Sequence, residues 1–295
     1  FVKISFLSLL KVGITTNYVK TLGLVLAFLT TIFDSVKKVI PEYEVTDEQL
    51  DSYIDQNLAF KSIVLIFIIM IGLILVINLI RVVLKYYDYQ VVKHNDSLFL
   101  SFGLLNTKST IVKPEKVQIV TVSRNYFQKK MDILEIKIKQ ATSGDRQNSK
   151  SIIEIPGCNV NEKLAIFKIL FRTIPEKGLE LKPNYRKLVF SIFLFIVIPV
   201  ALFFVFVNFV DQTIMGYVLV VPIYIVFIGL IVYFGYLNNR LYISDDFVIK
   251  QSGAWDIANA IIDTRKIQGV TTSQLFWHKK ADIGSIIIHT AGGDL

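Results

Sequence analysis

The chain contains a long internal repeat, and this repeat constrains the fold more than any other feature of the sequence. Residues 96–144 align without a gap on residues 246–294, at a constant offset of 150, and 15 of the 49 aligned positions are identical. Unrelated segments of ordinary composition would match at roughly one position in fifteen. Other pairs keep size and polarity, such as Tyr126 with Phe276 and Phe127 with Trp277. We therefore expect two copies of one folding unit.

The composition indicates a membrane protein. Of the 295 residues, 53% are hydrophobic, and the mean hydropathy of +0.53 is too high for a soluble globular chain. The net charge of +8 is explained more simply by membrane topology than by nucleic-acid binding. The single cysteine, Cys158, provides no disulfide partner and no thiol cluster for a metal, so we expect a buried, inert thiol.

Long uncharged runs divide the chain into six parts. We predict transmembrane hairpins at 18–85 and 188–237, with spans at about 18–36, 62–84, 188–210 and 217–237. Folded domains are expected at 86–176 and 238–295. A linker at 177–187 joins the first of these domains to the second hairpin. Residues 1–17 form an amphipathic juxtamembrane segment, predicted to lie along the membrane surface as a helix or strand.

Charge asymmetry predicts the orientation of these segments. Residues 85–187 carry 19 basic and 10 acidic residues, whereas residues 34–61 carry three basic and seven acidic residues. Basic residues also flank the spans, among them Arg81, Lys85, Arg186, Lys187 and Arg240. By the positive-inside rule, we expect both folded domains in the cytoplasm and the acidic loop outside.

Within each repeat, the pattern changes from long apolar runs to short strands. Leu134, Ile136 and Ile138 alternate with charged residues, which is typical of a strand with one wet face. Further β-rich pieces are separated by turn residues such as Gly103 and Pro114. An amphipathic helix is predicted from about Asn161, with these residues on its apolar face: Leu164, Phe167, Leu170, Phe171 and Ile174. The expected fold is a multi-domain membrane α+β protein, in which hairpins alternate with small β-sandwich or open-barrel domains, each closed by a C-terminal helix.

The second copy ends before any counterpart of the strand at Ile152–Ile155 and of the helix from Asn161. We expect that domain to be truncated here, with the missing elements following in a longer protein.

Four motifs of the second copy resemble the bacterial pleckstrin-homology-like (PH-like) membrane proteins of the YdbS/YdbT type, long catalogued as a domain of unknown function. They are Asp246–Gly253, Lys266–Gln268, Ser273–Lys280 and Thr290–Gly293. Asp132-Ile133 and Asp282-Ile283 depart from the Leu-Gly step that this family commonly has. The resemblance implies a PH-like fold in a bacterial cytoplasmic membrane, and it implies no catalytic residue.

An aromatic-basic stretch occurs at the same place in both repeats. The candidate residues for contact with lipid or a partner are Phe127, Lys129, Lys130, Trp277, Lys279 and Lys280. One interpretation is a rim that inserts a ring into the membrane interface and sets two ammonium groups against anionic headgroups. The alternative places one ring in the sandwich core and the two lysines on a solvated turn.

No catalytic, cofactor or metal site is predicted. The histidines His94, His278 and His289 lack a second ligand at a suitable spacing, and no phosphate loop or nucleophile elbow is present. The predicted spans carry no acidic residue in their middles, which disfavours a proton-coupled carrier. Pro199 and Pro222 leave open a transporter with broken helices.

Two functions remain open at this point. The favoured hypothesis is a non-enzymatic binding or scaffolding module at the cell envelope, with membrane lipids, anionic ones among them, and a membrane protein partner or oligomer. The alternative is an exporter or immunity-type component that handles a hydrophobic or peptide substrate through its spans.

Overall fold

The computed structural model describes residues 2–16, 27, 56–94, 96–141, 152–209, 215–216, 218–281 and 283–295. The helices are α1 (Phe6–Thr15), α2 (Gln56–Tyr86), α3 (Tyr126–Lys130), α4 (Val160–Phe171), α5 (Tyr185–Phe209) and α6 (Val220–Leu237). The strands are β1 (Val2–Lys3), β2 (Gln90–His94), β3 (Ser97–Phe102), β4 (Lys108–Val112), β5 (Val117–Arg124), β6 (Leu134–Gln140), β7 (Ile152–Cys158), β8 (Leu179–Leu181), β9 (Arg240–Ile243), β10 (Phe247–Ser252), β11 (Ile257–Asp263), β12 (Ile267–Ser273), β13 (Ser285–Thr290) and β14 (Gly293–Asp294).

Among the described residues, three helices are long and apolar enough to cross a membrane. They are Ile68–Tyr86 within α2, Tyr185–Phe209 and Val220–Leu237, with mean hydropathies of 2.5, 3.1 and 2.3. These helices cover the segments predicted as the second, third and fourth spans. The predicted first span at 18–36 lies, apart from Ala27, outside the described residues.

Pro199 and Pro222 are both accommodated inside intact helices. Pro199 has no N–H and its ring crowds the carbonyl of Phe195, four residues earlier. The helix contains a π-turn at Phe193–Val197, and the Phe195 carbonyl accepts a hydrogen bond of 2.7 Å from the Tyr224 hydroxyl of α6. Pro222 lies in the first turn of α6, where no intrahelical N–H is needed. Neither proline breaks its span.

The chain divides into two compact units, which are described separately. The smaller unit, Lys3–Gln90 with Ser101–Ser109, contains α1 packed against α2. A Cβ atom at Gly13 would lie 3.0 Å from the Leu79 Cα atom, so the glycine permits a close approach. Asn78 of α2 donates a hydrogen bond of 3.1 Å to the Thr16 carbonyl. The amphipathic N-terminal segment is thus a helix, and its apolar side packs on α2.

The larger unit is built on a seven-stranded sheet of order β7-β6-β5-β11-β10-β9-β8. Strands β5 and β11 come from different copies of the repeat and pair antiparallel, with Thr121 opposite Ala260 and Val120 opposite Ile261. A three-stranded sheet has the order β12-β13-β14, and a four-stranded sheet has the order β1-β2-β3-β4. One copy therefore completes its sheet with the other, so the two expected domains share this sheet.

A hydrophobic core lies between the seven-stranded and three-stranded sheets. It is formed by Ile119 of β5, Val248 of β10, Ile262 of β11 and Ile288 of β13. The β13–β14 turn also packs on β5, since a Cβ atom at Gly292 would lie 2.8 Å from the Gln118 Cβ atom. Residues of the first copy thus complete the core of the second.

Helix α4 follows β7 and covers part of the same sheet. It begins with a capping box, in which Asn159 and Glu162 bond reciprocally to each other's backbone N–H at 2.8 and 2.7 Å. Its buried face includes Phe167, Leu170 and Phe171, as the helical spacing predicted, whereas Ile174 lies beyond the end of the helix and is exposed. Phe171 meets Phe247 of the second copy edge-on, with 5.2 Å between ring centroids.

The predicted linker at 177–187 contains one element that the sequence pattern did not reveal. Residues Leu179–Leu181 form β8, which pairs with β9 at the edge of the seven-stranded sheet. A run of three residues is too short for the alternation of apolar and polar side chains to predict a strand. An ion pair of 2.9 Å between Glu180 and Arg240 joins the two strands.

Candidate functional site

A cavity lies on the face of the seven-stranded sheet opposite its hydrophobic core, where the two repeats meet. Its volume is about 680 Å³, and its walls come from β5, α3, α4, β10, β11 and the C-terminal end of α6. Because side chains alternate along a strand, the cavity takes every second residue of β11: Ile257, Asn259 and Ile261. The intervening residue Ile262 points to the opposite core. The cavity therefore exists only because β5 and β11 pair.

Four basic side chains line the cavity, and the lining contains no carboxylate. They are Arg124 at the end of β5, Lys129 of α3, Lys163 of α4 and Lys177 before β8. Within the part of the chain that the structure describes, none of the four forms an ion pair. Lys163 and Lys177 instead lie over the rings of Phe167 and Tyr242, at 5.7 and 4.5 Å from the centroids.

Lys163 shows how strongly the positive charges are concentrated. Partial burial lowers the pKa of its ammonium group below the ordinary value, and the positive charge of Arg124 adds to the effect. A nearby anion would stabilise the charged form of such an ammonium group, and the described residues lining this cavity do not include one. The cavity is therefore suited to an anionic ligand.

A polar group on the cavity wall is also unsatisfied. The Oδ1 atom of Asn259 is buried and accepts no hydrogen bond from the described residues. Its backbone neighbour across the sheet is Val122, whose side chain offers no donor. A buried acceptor without a partner is destabilising by about 1–3 kcal/mol.

Three aromatic rings stand at the rim of the cavity. The ring of Phe127 lies edge-on to Trp255, with 5.8 Å between centroids, and Tyr126 lies 6.4 Å from Trp255. All three side chains are exposed. Lys130 lies over Tyr126, with its Nζ atom 4.9 Å from the ring centroid. The predicted residues Phe127, Lys129 and Lys130 are thus brought together here, with the Phe127 ring outside the sandwich core.

Local sequence explains why this rim is well ordered. Asn125 and Gln128 form a capping box for α3, each accepting a hydrogen bond of 2.9 Å from the other's backbone N–H. At the other end of α3, Asp132 adopts a left-handed conformation with φ of +51°. The Ile133 N–H then bonds to the Gln128 carbonyl at 3.0 Å, which closes a Schellman motif.

The second aromatic-basic stretch has a different environment. Residues Phe276–Ala281 form a 3₁₀ helix, and Lys279 and Lys280 are exposed and do not line the cavity. The side chain of Trp277 is not among those that the structure describes. The structure therefore places the two predicted lysine pairs in unlike surroundings.

Sequence reasoning did not identify Arg124, Lys163 or Trp255 as site residues. The repeat contained a usable signal, since Arg124 aligns with Gln274 and Trp255 aligns with Leu105. A site that forms once, at the junction, can use residues that the other copy lacks, whereas features shared by both repeats appear as matching positions. Lys163 has no aligned counterpart, so its role depended on the fold.

Other polar groups of the described residues have structural surroundings. Burial raises the pKa of the Cys158 thiol, the Glu162 carboxylate adds to this effect, and Cys158 is fully buried as expected. His289 bridges Thr271 and Asp294 at 2.7 Å each, which joins β12, β13 and β14 on an exposed surface. Among the described residues, no group of three potential metal ligands is present.

The comparisons with known proteins identify the family. The bacterial PH domain model matches residues 56–173 and 192–295, which is well over half of the chain. A curated relative, the UPF0699 transmembrane protein YdbT of Bacillus subtilis (strain 168), is 22% identical over 232 residues, covering 74% of this chain and 44% of the relative. The chain thus spans less than half the length of that relative. No solved structure matches the chain. The chain belongs to the bacterial PH domain family, as a membrane protein with transmembrane helices.

Proposed function

We propose that this protein is a non-enzymatic, membrane-anchored binding module whose junction cavity holds an anionic membrane lipid. The observation that carries the proposal is the lining of that cavity, with four basic side chains and no carboxylate beside a span. The lipid phosphate would lie among Arg124, Lys129 and Lys163. In a partly desolvated cavity, such contacts are stronger than at an open surface.

The apolar part of the cavity supports a lipid rather than a free phosphate. Phe167 of α4 and Phe234 of α6 line it together with Ile249, Ile257 and Ile261 of the sheet. Because α6 ends at Leu237 and Asn238 lines the cavity, the site lies at the end of a membrane span. An acyl chain could then leave the cavity along α6 into the bilayer, while the exposed rim of Tyr126, Phe127 and Trp255 occupies the interface.

The proposal includes an orientation in the bacterial cytoplasmic membrane. Arg81, Lys85, Arg186, Lys187 and Arg240 flank the spans on the side of the folded domains, which favours a cytoplasmic location for these domains. Anionic lipids on that membrane face would then supply the ligand. Labelling in intact cells tests this: a cysteine at Lys177 should resist an impermeant maleimide. Labelling of that cysteine would contradict the proposed orientation and place the folded domains outside the cell.

Quenching of Trp255 fluorescence by brominated lipid tests the proposed ligand. The Trp277→Phe variant leaves Trp255 as the single tryptophan of the full chain, reconstituted in nanodiscs. We expect brominated phosphatidylglycerol to quench this ring more strongly than brominated phosphatidylcholine at equal content. Inorganic phosphate and glycerol phosphate, added at the same concentration, distinguish a lipid site from a free-phosphate site by failing to compete.

Charge variants provide matched controls for this experiment. The double variant Arg124→Gln, Lys163→Gln should abolish the preference for the anionic lipid, whereas Lys279→Gln, Lys280→Gln changes the same number of charges and should retain it. Gln is chosen because it removes the charge while keeping a flexible polar side chain, and the melting temperature checks that each variant is folded. Equal quenching by the two brominated lipids in the parent protein would contradict the proposal.

A further inference from the structure

The four basic side chains of the junction cavity fall into two groups. Arg124, Lys129 and Lys163 form the first group. Partial burial and then the positive charge of Arg124 lower the pKa of the Lys163 ammonium group, so these two cations lie close together. Lys177 stands apart, with its Nζ atom 4.5 Å from the ring centroid of Tyr242 on β9.

The strand pairing shows how far the two groups are separated. Tyr242 lies in one row of the sheet with Ile249 and Ile261. Arg124 pairs instead with Ile257, and the distance from Ile257 to Ile261 along β11 is about 14 Å. Strands β10 and β11 also lie between β9 and β5, which adds a lateral distance of about 14 Å. The two groups therefore lie at different ends of the cavity.

Helix α4 spans the same distance and separates the two groups with apolar side chains. Lys163 lies in its first turn, and Phe171 in its last turn contacts Phe247 at the start of β10. The helix rises by about 12 Å between Lys163 and Phe171. Phe167, between them, lines the cavity together with Ile249 of the sheet.

The group of three cations lies at the membrane end of the cavity. A Cβ atom at Gly235, in the last turn of α6, would lie 3.9 Å from the Ala254 Cβ atom in the turn between β10 and β11. Arg124 pairs with Ile257, the first residue of β11 after that turn. The first group is therefore next to the end of a membrane span.

Lys177 lies at the end of the cavity that is distant from the membrane. Strand β9 begins at Arg240, directly after α6. Lys177 precedes β8, whose first residue, Leu179, pairs with Ile243 at the other end of β9. The carboxylate of Glu180 on β8 is bonded to Arg240 at 2.9 Å, and the described residues that line the cavity include no acid.

We propose that the ligand of the junction cavity is a lipid with a second phosphate in its headgroup, further from the acyl chains than the first, and that Lys177 binds this second phosphate. The inference rests on the proposed function, since it names the class of the anionic lipid. The first phosphate, next to the acyl chains, lies among Arg124, Lys129 and Lys163. A single phosphate cannot reach both ends of the cavity and would leave Lys177 without an anion.

The depth of Lys177 distinguishes this lipid from other lipids of high charge. In diphosphatidylglycerol, each phosphate carries its own acyl chains, so both phosphates stay at the membrane surface. Phosphatidic acid has its whole charge on one phosphate next to the chains. Phosphatidylglycerol phosphate has the required arrangement, with a glycerol unit between an inner and an outer phosphate.

Competition with a brominated lipid tests the second phosphate. The full-length Trp277→Phe protein is placed in phosphatidylcholine nanodiscs that contain a small fraction of brominated phosphatidylglycerol, and recovery of Trp255 fluorescence measures displacement. We expect phosphatidylglycerol phosphate to displace the brominated lipid about tenfold more effectively than phosphatidylglycerol, the gain expected for one further hydrogen bond between charged groups. Phosphatidic acid and diphosphatidylglycerol should be weaker competitors than phosphatidylglycerol phosphate, although each can carry two negative charges.

A matched pair of variants assigns the effect to Lys177. Lys177→Gln should reduce phosphatidylglycerol phosphate to the effectiveness of phosphatidylglycerol. Lys182→Gln removes the same charge from an exposed residue of the same segment that does not line the cavity, and it should keep the advantage. The melting temperature checks that both variants are folded.

The outcomes separate this inference from the proposed function. If phosphatidylglycerol phosphate has no advantage, or if the advantage survives Lys177→Gln, the second phosphate site is wrong and the anionic lipid remains. Equal displacement by diphosphatidylglycerol or phosphatidic acid would contradict the depth of the site. Displacement by soluble glycerol bisphosphate at the same concentration would show a site for a free bisphosphate instead of a lipid. If Trp255 shows no preference for brominated phosphatidylglycerol, the proposed function itself fails.

Discussion

Strands β5 and β12 are aligned copies of one strand, and their different fates show what a repeat does and does not determine. Gln, Val, Thr and Ser recur at four aligned positions, from Gln118 and Gln268 to Ser123 and Ser273. Strand β5 lies between β6 and β11, whereas β12 has β13 as its described neighbour. The repeat therefore determines the strand, and the neighbouring elements determine whether it is core or surface.

The largest expected difference between the two strands concerns their identical valines. Val120→Asp places a carboxylate in a fully buried site, and we expect it to lower the free energy of unfolding by about 3 kcal/mol or more. Val270→Asp changes an exposed side chain, and we expect an effect within about 0.5 kcal/mol for the dilute chain in detergent. Thermal unfolding of both full-length variants measures the difference.

Asparagine substitutions at the same two positions separate charge from size. Val120→Asn should remain strongly destabilising, because an uncharged polar group is also buried there without a partner. Similar melting temperatures for Val120→Asp and Val270→Asp would show that the two strands are equally buried in solution, contrary to the comparison above.

The aromatic-basic stretches differ for a local reason, and this comparison predicts a smaller effect. Asn125 caps α3 together with Gln128, whereas Leu275 and His278 stand at these positions in the second copy. We expect Asn125→Ala to lower the free energy of unfolding by about 1 kcal/mol, as is usual for loss of an N-cap. Leu275→Ala removes no capping side chain and serves as the matched control, again by thermal unfolding.

The fluorescence of Trp255 provides a second measurement for the Asn125→Ala and Leu275→Ala variants. Phe127 and Lys130 depend on α3 for their positions. In the Trp277→Phe background, Asn125→Ala should therefore also shift the Trp255 emission maximum to longer wavelength, because the indole becomes more exposed to solvent. An unchanged emission and melting temperature would indicate that Trp255 and Tyr126, rather than the cap, hold the stretch in place.

Much of the fold could be predicted from the sequence, because local patterns are its direct cause. Alternation predicted β6, turn residues separated the other long strands, and helical spacing predicted the buried face of α4 at Phe167, Leu170 and Phe171. The pairing of β5 with β11 was not predictable, since strand partners are chosen by long-range packing. Strand β8 was missed for the same reason, as its three residues are specified by β9 rather than by their own pattern.

The candidate site was predictable only in part. The aromatic-basic motif indicated Phe127, Lys129 and Lys130, because repeated residues in a similar spacing are visible in an alignment of the copies. The cavity depends on two segments that are far apart in sequence, Arg124 to Lys129 and Trp255 to Ile261. A motif search within one repeat cannot combine residues from two different copies.

The smallest predicted effect concerns the turn that ends α3. Asp132 has φ of +51°, a left-handed conformation that glycine adopts with less strain than aspartate. Asp132→Gly should therefore raise the free energy of unfolding by about 0.5 kcal/mol, since relief of strain is partly offset by the greater freedom of glycine in the unfolded chain. Asp282 is the aligned residue in the second copy, so Asp282→Gly tests whether that turn has the same conformation. A gain in melting temperature at Asp132 and a loss at Asp282 would show that only the capped stretch ends in a Schellman motif, whereas equal gains would extend the motif to both copies.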